Sequence, residues 1–230
     1  MKIEIWSDVV CPFCVIEKRQ LEAALAQYPH RDKVEVVWHS FELDPNAKLD
    51  FGMDIHDVLS HKYGMSREEA QASGDRLSMQ AKSLNLEFNM DKIIPTNSFD
   101  AHRFIHMASS MGVGNQAHER LFKAYFTEGK KISDHDTLIQ IGNELNIAPE
   151  KTKTLLNSED YKYEVRQDEQ EAQNLAIKGV PFFLFDRKYA ISGAQGLPAF
   201  LEALTKIGEE LKINESLSEG EVCSVDNPNC

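Results

Sequence analysis

Two cysteines separated by two residues, in the stretch DVVCPFC, constrain this chain more than any other feature of its sequence. The pair follows residues 2–7 (KIEIWS), whose alternating apolar residues predict a strand, and from Cys11 to Tyr28 the apolar spacing becomes helical. Pro12 suits the first turn of such a helix, where its missing N–H costs no hydrogen bond. A second strand predicted at residues 33–41 completes a β–α–β unit with both cysteines at the helix N-terminus.

A pair of this kind can be a disulfide staple, half of a zinc site or a redox centre. Four cysteines in 230 residues are too few for a disulfide-built scaffold, and a structural disulfide rarely persists in a reducing compartment. The other two cysteines, Cys223 and Cys230, do not form a second C-x-x-C motif, although a metal-binding protein using all four stays an alternative. Because N–H groups at a helix N-terminus favour a thiolate, the pattern predicts Cys11 as nucleophile and Cys14 as resolving thiol.

Charge and hydropathy exclude several classes of partner. A net charge of −12 argues against a nucleic-acid surface or an anionic membrane, since both require clustered Lys and Arg. No apolar run approaches the ~20 residues that span a bilayer. The first residues read as a strand and not as a signal peptide, so we expect a cytoplasmic protein with no nucleic-acid and no membrane partner.

The rest of the chain separates into a helical block and a second α/β piece. Residues 49–156 are predicted mostly helical, with a capping box at Ser66 and Glu69 and with Ser133 as the cap of a further helix that extends through Leu145. Further predicted elements follow: helices at 158–178 and 197–211, and a hairpin of strands at 181–185 and 188–192. The predicted domains are a discontinuous α/β unit, a helical insertion and a loosely held polar tail, with these bounds: 1–48 with 157–212, 49–156, and 213–230.

Five segments resemble the DsbA family of thioredoxin-fold proteins and, within it, the FrnE-type cytosolic branch. The segments are SDVVCPFC (7–14), FELDP (41–45), AHRFIH (101–106), LFKAYFTEGKKISD (121–134) and GVPFFLFDRKYAISGAQ (179–195). The resemblance covers about residues 1–210. It implies an α/β thioredoxin fold with a large all-helical insertion.

The resemblance also implies an activity: a thiol–disulfide oxidoreductase or isomerase acting on disulfide- or thiol-containing protein substrates. No dissociable cofactor is required, and glutathione is a candidate co-substrate. Val180 and Pro181 would form a cis peptide pair beside the cysteines and offer backbone to an extended substrate. The other residues that the resemblance places at the substrate site are Pro12, Phe13, Asn97 and His102.

Three other functions stay open. Relatives in the same branch include 2-hydroxychromene-2-carboxylate isomerases and kappa-class glutathione transferases, which carry Ser where this chain has Cys11. A redox-gated chaperone would use the cysteines without turnover. His102 and His106 have a spacing that metals can use, but Arg103 stands where a metalloprotease motif has Glu, and we expect no metal. Cys223 and Cys230 are either a secondary redox pair or a passive appendage.

Overall fold

The computed structural model describes the backbone of residues 1–219 and the side chains of residues 1–210. Cys223 and Cys230 lie outside the described residues. The strands are β1 Lys2–Ser7, β2 Glu35–Ser40, β3 Phe182–Phe185 and β4 Tyr189–Ser192. The α-helices are α1 Pro12–Gln27, α2 Ile55–Tyr63, α3 Arg67–Ser83, α4 Phe99–Ser110, α5 Gly114–Phe122, α6 His135–Glu144, α7 Pro149–Leu156, α8 Lys162–Asn174 and α9 Leu197–Glu219.

The strands form one mixed sheet in the order β2–β1–β3–β4. β1 and β2 are parallel and are connected through α1, whereas β3 is antiparallel to both β1 and β4. The predicted β–α–β start and the predicted hairpin are therefore confirmed. Because β1 lies between β2 and β3, the cysteine segment that follows its carboxyl end lies near the middle of the sheet and not beside an outer strand.

Alternation along β1 gives the sheet two apolar faces. Ile3 and Ile5 pack with Phe183 and with residues of α1 and α9 on one side, while Trp6 packs with Ala172 of α8 on the other. Successive side chains of a strand point to opposite faces, which is why a six-residue strand serves both layers. Burial of each large side chain contributes roughly 1.5–3 kcal/mol, so both helical layers hold the sheet in place.

The helices between β2 and α8 enclose a second core. Its buried residues include Phe104, Leu121 and Ile141, and the same cluster continues into Cys11 and Cys14. The cysteines thus lie at the joint between the helical insertion and the sheet. The division of the chain into units at 48/49 and 156/157 stays a prediction.

Several element ends differ from the sequence-based expectation. The capping box of α3, formed by Ser66 and Glu69, is present, but α6 is capped by Asp134 and not by Ser133. The Ser133 hydroxyl instead makes a hydrogen bond of 2.5 Å with Thr96. A tertiary hydrogen bond therefore replaces the expected capping bond to the backbone of α6.

The last two long helices also differ in extent. The helix predicted at 158–178 spans only Lys162–Asn174, because Tyr161 before it and Ala176 after it adopt left-handed backbones with φ of 60° and 56°. The last helix, α9, was predicted to end at 211 but continues to Glu219. Residues 213–219, assigned to the tail from their polar composition, are therefore helical.

Candidate active site

The CPFC segment forms the first turn of α1. Cys11 is the N-terminal cap with an extended backbone, and Pro12 occupies the first helical position. The Cys11 N–H donates to the Asp8 carbonyl at 3.1 Å, and the Cys14 N–H donates to the Cys11 carbonyl at 3.2 Å. Both cysteines are free thiols, and only 3% of Cys11 and 2% of Cys14 are exposed. Phe13, between them, is 38% exposed.

The loop before β3 lies against the first cysteine. The Val180–Pro181 peptide bond is cis, and the Cys11 thiol donates to the Val180 carbonyl at 3.7 Å. Pro181 is buried and Val180 is half-buried. Tertiary structure thus brings residues 11 and 180 together, as the resemblance implied, because β3 pairs directly with β1.

The two thiols differ in their surroundings. Burial raises the pKa of Cys14 well above its ordinary value, and the neighbouring Cys11 raises it further, while the Ser7 hydroxyl and the Asp8 backbone offset part of that rise. Cys14 is therefore protonated at neutral pH. Cys11 lies at the N-terminus of α1, where backbone N–H groups and the helix dipole favour a thiolate, and it precedes the partly exposed Phe13.

A buried carboxylate organises the turn that carries the cysteines. The Asp8 side chain accepts hydrogen bonds from the Val10 N–H at 3.2 Å and from the Leu43 N–H at 2.8 Å. A third contact of 3.3 Å joins Asp8 Oδ1 to His102 Nε2 on α4. Asp8 therefore connects the cysteine turn, the segment after β2 and the insertion.

These features match a known protein family. The family model of the DSBA-like thioredoxin domain matches residues 2–205. The chain belongs to the DsbA-like thioredoxin domain family. Its fold is accordingly a DsbA-like thioredoxin fold, in which the helices α2–α7 are the insertion.

Similar proteins include both close and distant relatives of this DsbA-like domain. YwbO of Bacillus subtilis (strain 168) is 30% identical over 205 residues, which are 88% of this chain and 95% of YwbO. The crystal structure titled "probable DsbA oxidoreductase SCO1869", from Streptomyces coelicolor, is 39% identical with a TM-score of 0.88 and covers 91% of each chain. A structure of the cytosolic disulfide reductase DsbM from Pseudomonas aeruginosa with GSH is 15% identical, with a TM-score of 0.62, and covers 92% of this chain and 100% of DsbM. At that identity the likeness to DsbM concerns the fold alone.

Two residues expected at the substrate site of the DsbA-like domain have other contacts. His102 has no exposed surface, so it lies behind the cysteine turn and not where a substrate would touch it. The Asn97 amide donates to the Ala47 carbonyl at 3.2 Å, and its oxygen accepts from the Phe99 N–H at 2.8 Å. Asn97 therefore binds the N–H of the first residue of α4 and connects that helix to the segment after β2.

The structure also reveals two acids that sequence reasoning did not select, Asp8 and Glu42. Glu42 is 4% exposed, and its Oε2 accepts from Arg166 Nη1 at 2.6 Å. Burial raises the pKa of Glu42 to about 7, although Arg166 and His102 pull it down. Both acids lie inside segments that resemble the family, SDVVCPFC and FELDP. Their position in these segments was the signal in the sequence that could have identified them.

The described residues contain no group of three or more His, Cys, Asp or Glu side chains arranged for a metal ion. His106, one helical turn after His102, contacts Asp168 at 3.0 Å and the Ser40 hydroxyl at 3.1 Å. The two histidines on α4 thus serve separate networks. Among the helices in the described part of the chain, none is both long and apolar enough to cross a membrane.

Proposed function

We propose that this DsbA-like domain is a thiol–disulfide oxidoreductase acting through Cys11 and Cys14. The observation that carries the proposal is the Cys11 thiol at the N-terminus of α1, 3.7 Å from the Val180 carbonyl and paired with a buried Cys14. No dissociable cofactor takes part, because the two sulfur atoms carry both electrons.

The reaction runs in two exchange steps. The Cys11 thiolate attacks a substrate disulfide, an S–S bond forms between Cys11 and the substrate, and the released substrate thiolate takes up a proton. Cys14 then loses its proton and attacks the Cys11 sulfur, which forms the Cys11–Cys14 disulfide and releases the second substrate thiol. The substrate gains two electrons, and the cysteine pair loses them. The reverse sequence oxidises a dithiol substrate.

The substrate site proposed here surrounds the exposed side of the cysteine turn. Val180 offers a backbone carbonyl at a strand end, and Phe13 offers a partly exposed aromatic ring. With Pro12 and Pro181, these groups suit an extended chain carrying a disulfide or a thiol. Disulfide- or thiol-containing proteins are therefore the proposed substrates.

Glutathione is the proposed small-molecule co-substrate, and the cytoplasm is the proposed compartment. Support for both comes from the similar fold of DsbM, a cytosolic disulfide reductase whose structure was determined with GSH. In a glutathione-rich compartment the exchange of Cys11–Cys14 with glutathione determines whether the domain reduces or oxidises its substrates.

The test separates the roles of the two cysteines. Cys11→Ser should lower the rate of insulin disulfide reduction by about a thousandfold or more, because no other thiol occupies the helix N-terminus. Cys14→Ser should accumulate a mixed disulfide between Cys11 and the substrate, detectable by mass spectrometry. Insulin reduction that survives Cys11→Ser would rule the proposal out. A wild-type protein that reduces no insulin would favour the isomerase-type or chaperone alternative, which matched assays of a small aromatic substrate and of client aggregation would then distinguish.

A further inference from the structure

Asp8 is in contact with the backbone of the cysteine turn from several sides. Its carbonyl accepts the Cys11 N–H at 3.1 Å, and its carboxylate accepts the Val10 N–H at 3.2 Å. The backbone of Asp8 also lies against the Cys14 thiol. With 1% of its surface exposed, Asp8 carries a carboxylate that water screens poorly, beside the nucleophile.

His102 is the hydrogen-bond partner of that carboxylate on α4. Burial lowers the pKa of His102, but the hydrogen bond to Asp8 and the charges of Asp8, Glu42 and Glu169 outweigh burial and raise it. Its Nδ1 has no hydrogen-bond partner among the described residues. The imidazole therefore has one side-chain hydrogen-bond contact among the described residues, the 3.3 Å contact with Asp8.

Other titratable groups lie near the pair, but none of them takes the place of Asp8 or His102 in their contact. Glu42, Glu169 and His118 interact with His102, and Tyr125 interacts with Asp8, whereas Lys18 and His106 act on His118. Glu42 and Glu169 share Arg166, and burial raises the pKa of Tyr125, which stays neutral. His118 is neutral as well, because burial lowers its pKa well below the ordinary value. Asp8 and His102 are thus two enclosed opposite charges that contact each other at the cysteine turn.

We propose that the Asp8–His102 pair sets the reduction potential of the Cys11–Cys14 couple, with His102 cancelling the field of the Asp8 carboxylate at Cys11. The inference rests on the proposed function and deepens it. Neither residue touches the substrate, so both act as positioning residues through the cysteines. Without the cation, the carboxylate repels the Cys11 thiolate and destabilises the reduced pair. A less stable reduced form makes the domain a stronger reductant.

The experiment is a double-mutant cycle on the full chain. His102→Gln should shift the equilibrium between the Cys11–Cys14 couple and glutathione about tenfold toward the stronger reductant, equivalent to about 30 mV. Absorbance at 240 nm should show a smaller Cys11 thiolate fraction at pH 7. Added to Asp8→Asn, the same His102→Gln substitution should shift the equilibrium less than about twofold, because the repelling carboxylate is gone.

His118→Gln provides the matched control. His118 is 2% exposed and lies in the same insertion, and neither ring nitrogen has a partner among the described residues. The His118→Gln variant loses a buried imidazole but no charge, so the reduction potential of the Cys11–Cys14 couple should stay unchanged. A shift of equal size from His118→Gln, an equal shift from His102→Gln in both backgrounds, or no shift from His102→Gln would each overturn the inference.

Wild-type protein supplies a second measurement if a variant does not fold. Coupling between two equilibria is reciprocal, so the NMR titration midpoint of the His102 ring should differ between reduced and oxidised protein. Identical midpoints would overturn the inference. If the wild-type Cys11–Cys14 couple exchanges with neither glutathione nor insulin, the proposed function itself is wrong. This exchange is therefore measured before any variant is compared.

Discussion

Two buried carboxylates connect the helical insertion to the sheet, and they are held in different ways. Asp168 of α8 accepts the Ser40 N–H at 2.7 Å and contacts His39 at 2.7 Å and His106 at 3.0 Å. Asp8, next to the cysteines, shares one histidine at 3.3 Å. The carboxylate of Asp168 contacts two imidazoles, whereas the carboxylate of Asp8 contacts one, that of His102.

The pKa values of Asp168 and of Glu42, the buried acid next to His102, differ in a similar way. Burial alone would raise the pKa of Asp168, but its hydrogen bonds with His106, His39 and Ser40 lower it to about 2. Next to His102, burial dominates at Glu42 and raises its pKa to about 7, and Glu42 Oε1 has no partner among the described residues. A carboxylate whose hydrogen bonds are all satisfied stabilises the fold, whereas a buried acid with an unpaired oxygen is more typical of a functional site.

The largest effect on stability is expected at Asp168. Asp168→Asn should lower the free energy of unfolding at pH 7 by about 3 kcal/mol, because it leaves the histidines without their carboxylate. The potential of the Cys11–Cys14 couple should not move. Urea denaturation and equilibration with glutathione measure the two quantities, with Glu164→Gln on the same helix as control.

The pH dependence of that loss identifies its cause. The pKa of Asp168 falls from 3.8 to about 2 on folding, so its contribution is present above 3.8 and disappears as the pH falls through 2. The difference between wild type and Asp168→Asn should therefore shrink by about 2 kcal/mol between pH 5 and pH 2. A difference independent of pH would mean that packing, and not charge, is responsible.

A smaller effect of opposite sign is expected at Glu42. Its pKa rises from 4.5 to about 7 on folding, so ionisation destabilises the folded state increasingly as the pH rises through that range. Glu42→Gln should raise the free energy of unfolding by about 1 kcal/mol at pH 8, since part of the gain is lost with the Arg166 ion pair, and by nothing at pH 5. If Glu42→Gln instead lowers the free energy of unfolding at pH 8, Glu42 stabilises the fold as Asp168 does, and the contrast between the two acids is wrong.

The smallest effect concerns the cysteines outside the described residues. We propose Cys223 and Cys230 as a secondary redox pair whose tether gives it a high effective concentration at Cys11–Cys14. Changing both to Ser should leave the potential of Cys11–Cys14 unchanged, because the Asp8 site sets it, but slow its recycling by a few-fold. A changed potential would contradict this separation, and unchanged recycling would make the tail pair a passive appendage. Stopped-flow measurement of recycling against the wild type decides between them.

The sequence by itself determined the strand–CPFC–helix start, the hairpin and the α/β class with its helical insertion. These features depend on local rules: strand alternation, helical apolar spacing and Pro12 in a first turn all act within a few residues. Local rules failed where distant atoms competed. Thr96 engages the Ser133 hydroxyl, so Asp134 caps α6 instead.

Tertiary structure alone decided which groups surround the cysteines. Asp8, Glu42 and His102 are far apart in sequence, and each is a polar residue that a sequence pattern would place at the surface or at a substrate. Their roles depend on burial, on the 3.3 Å contact across 94 residues and on an orphaned oxygen at Glu42. Burial and long-range electrostatics arise only when the insertion closes over the sheet, because a charge acquires its strength from the low-dielectric surroundings that folding creates.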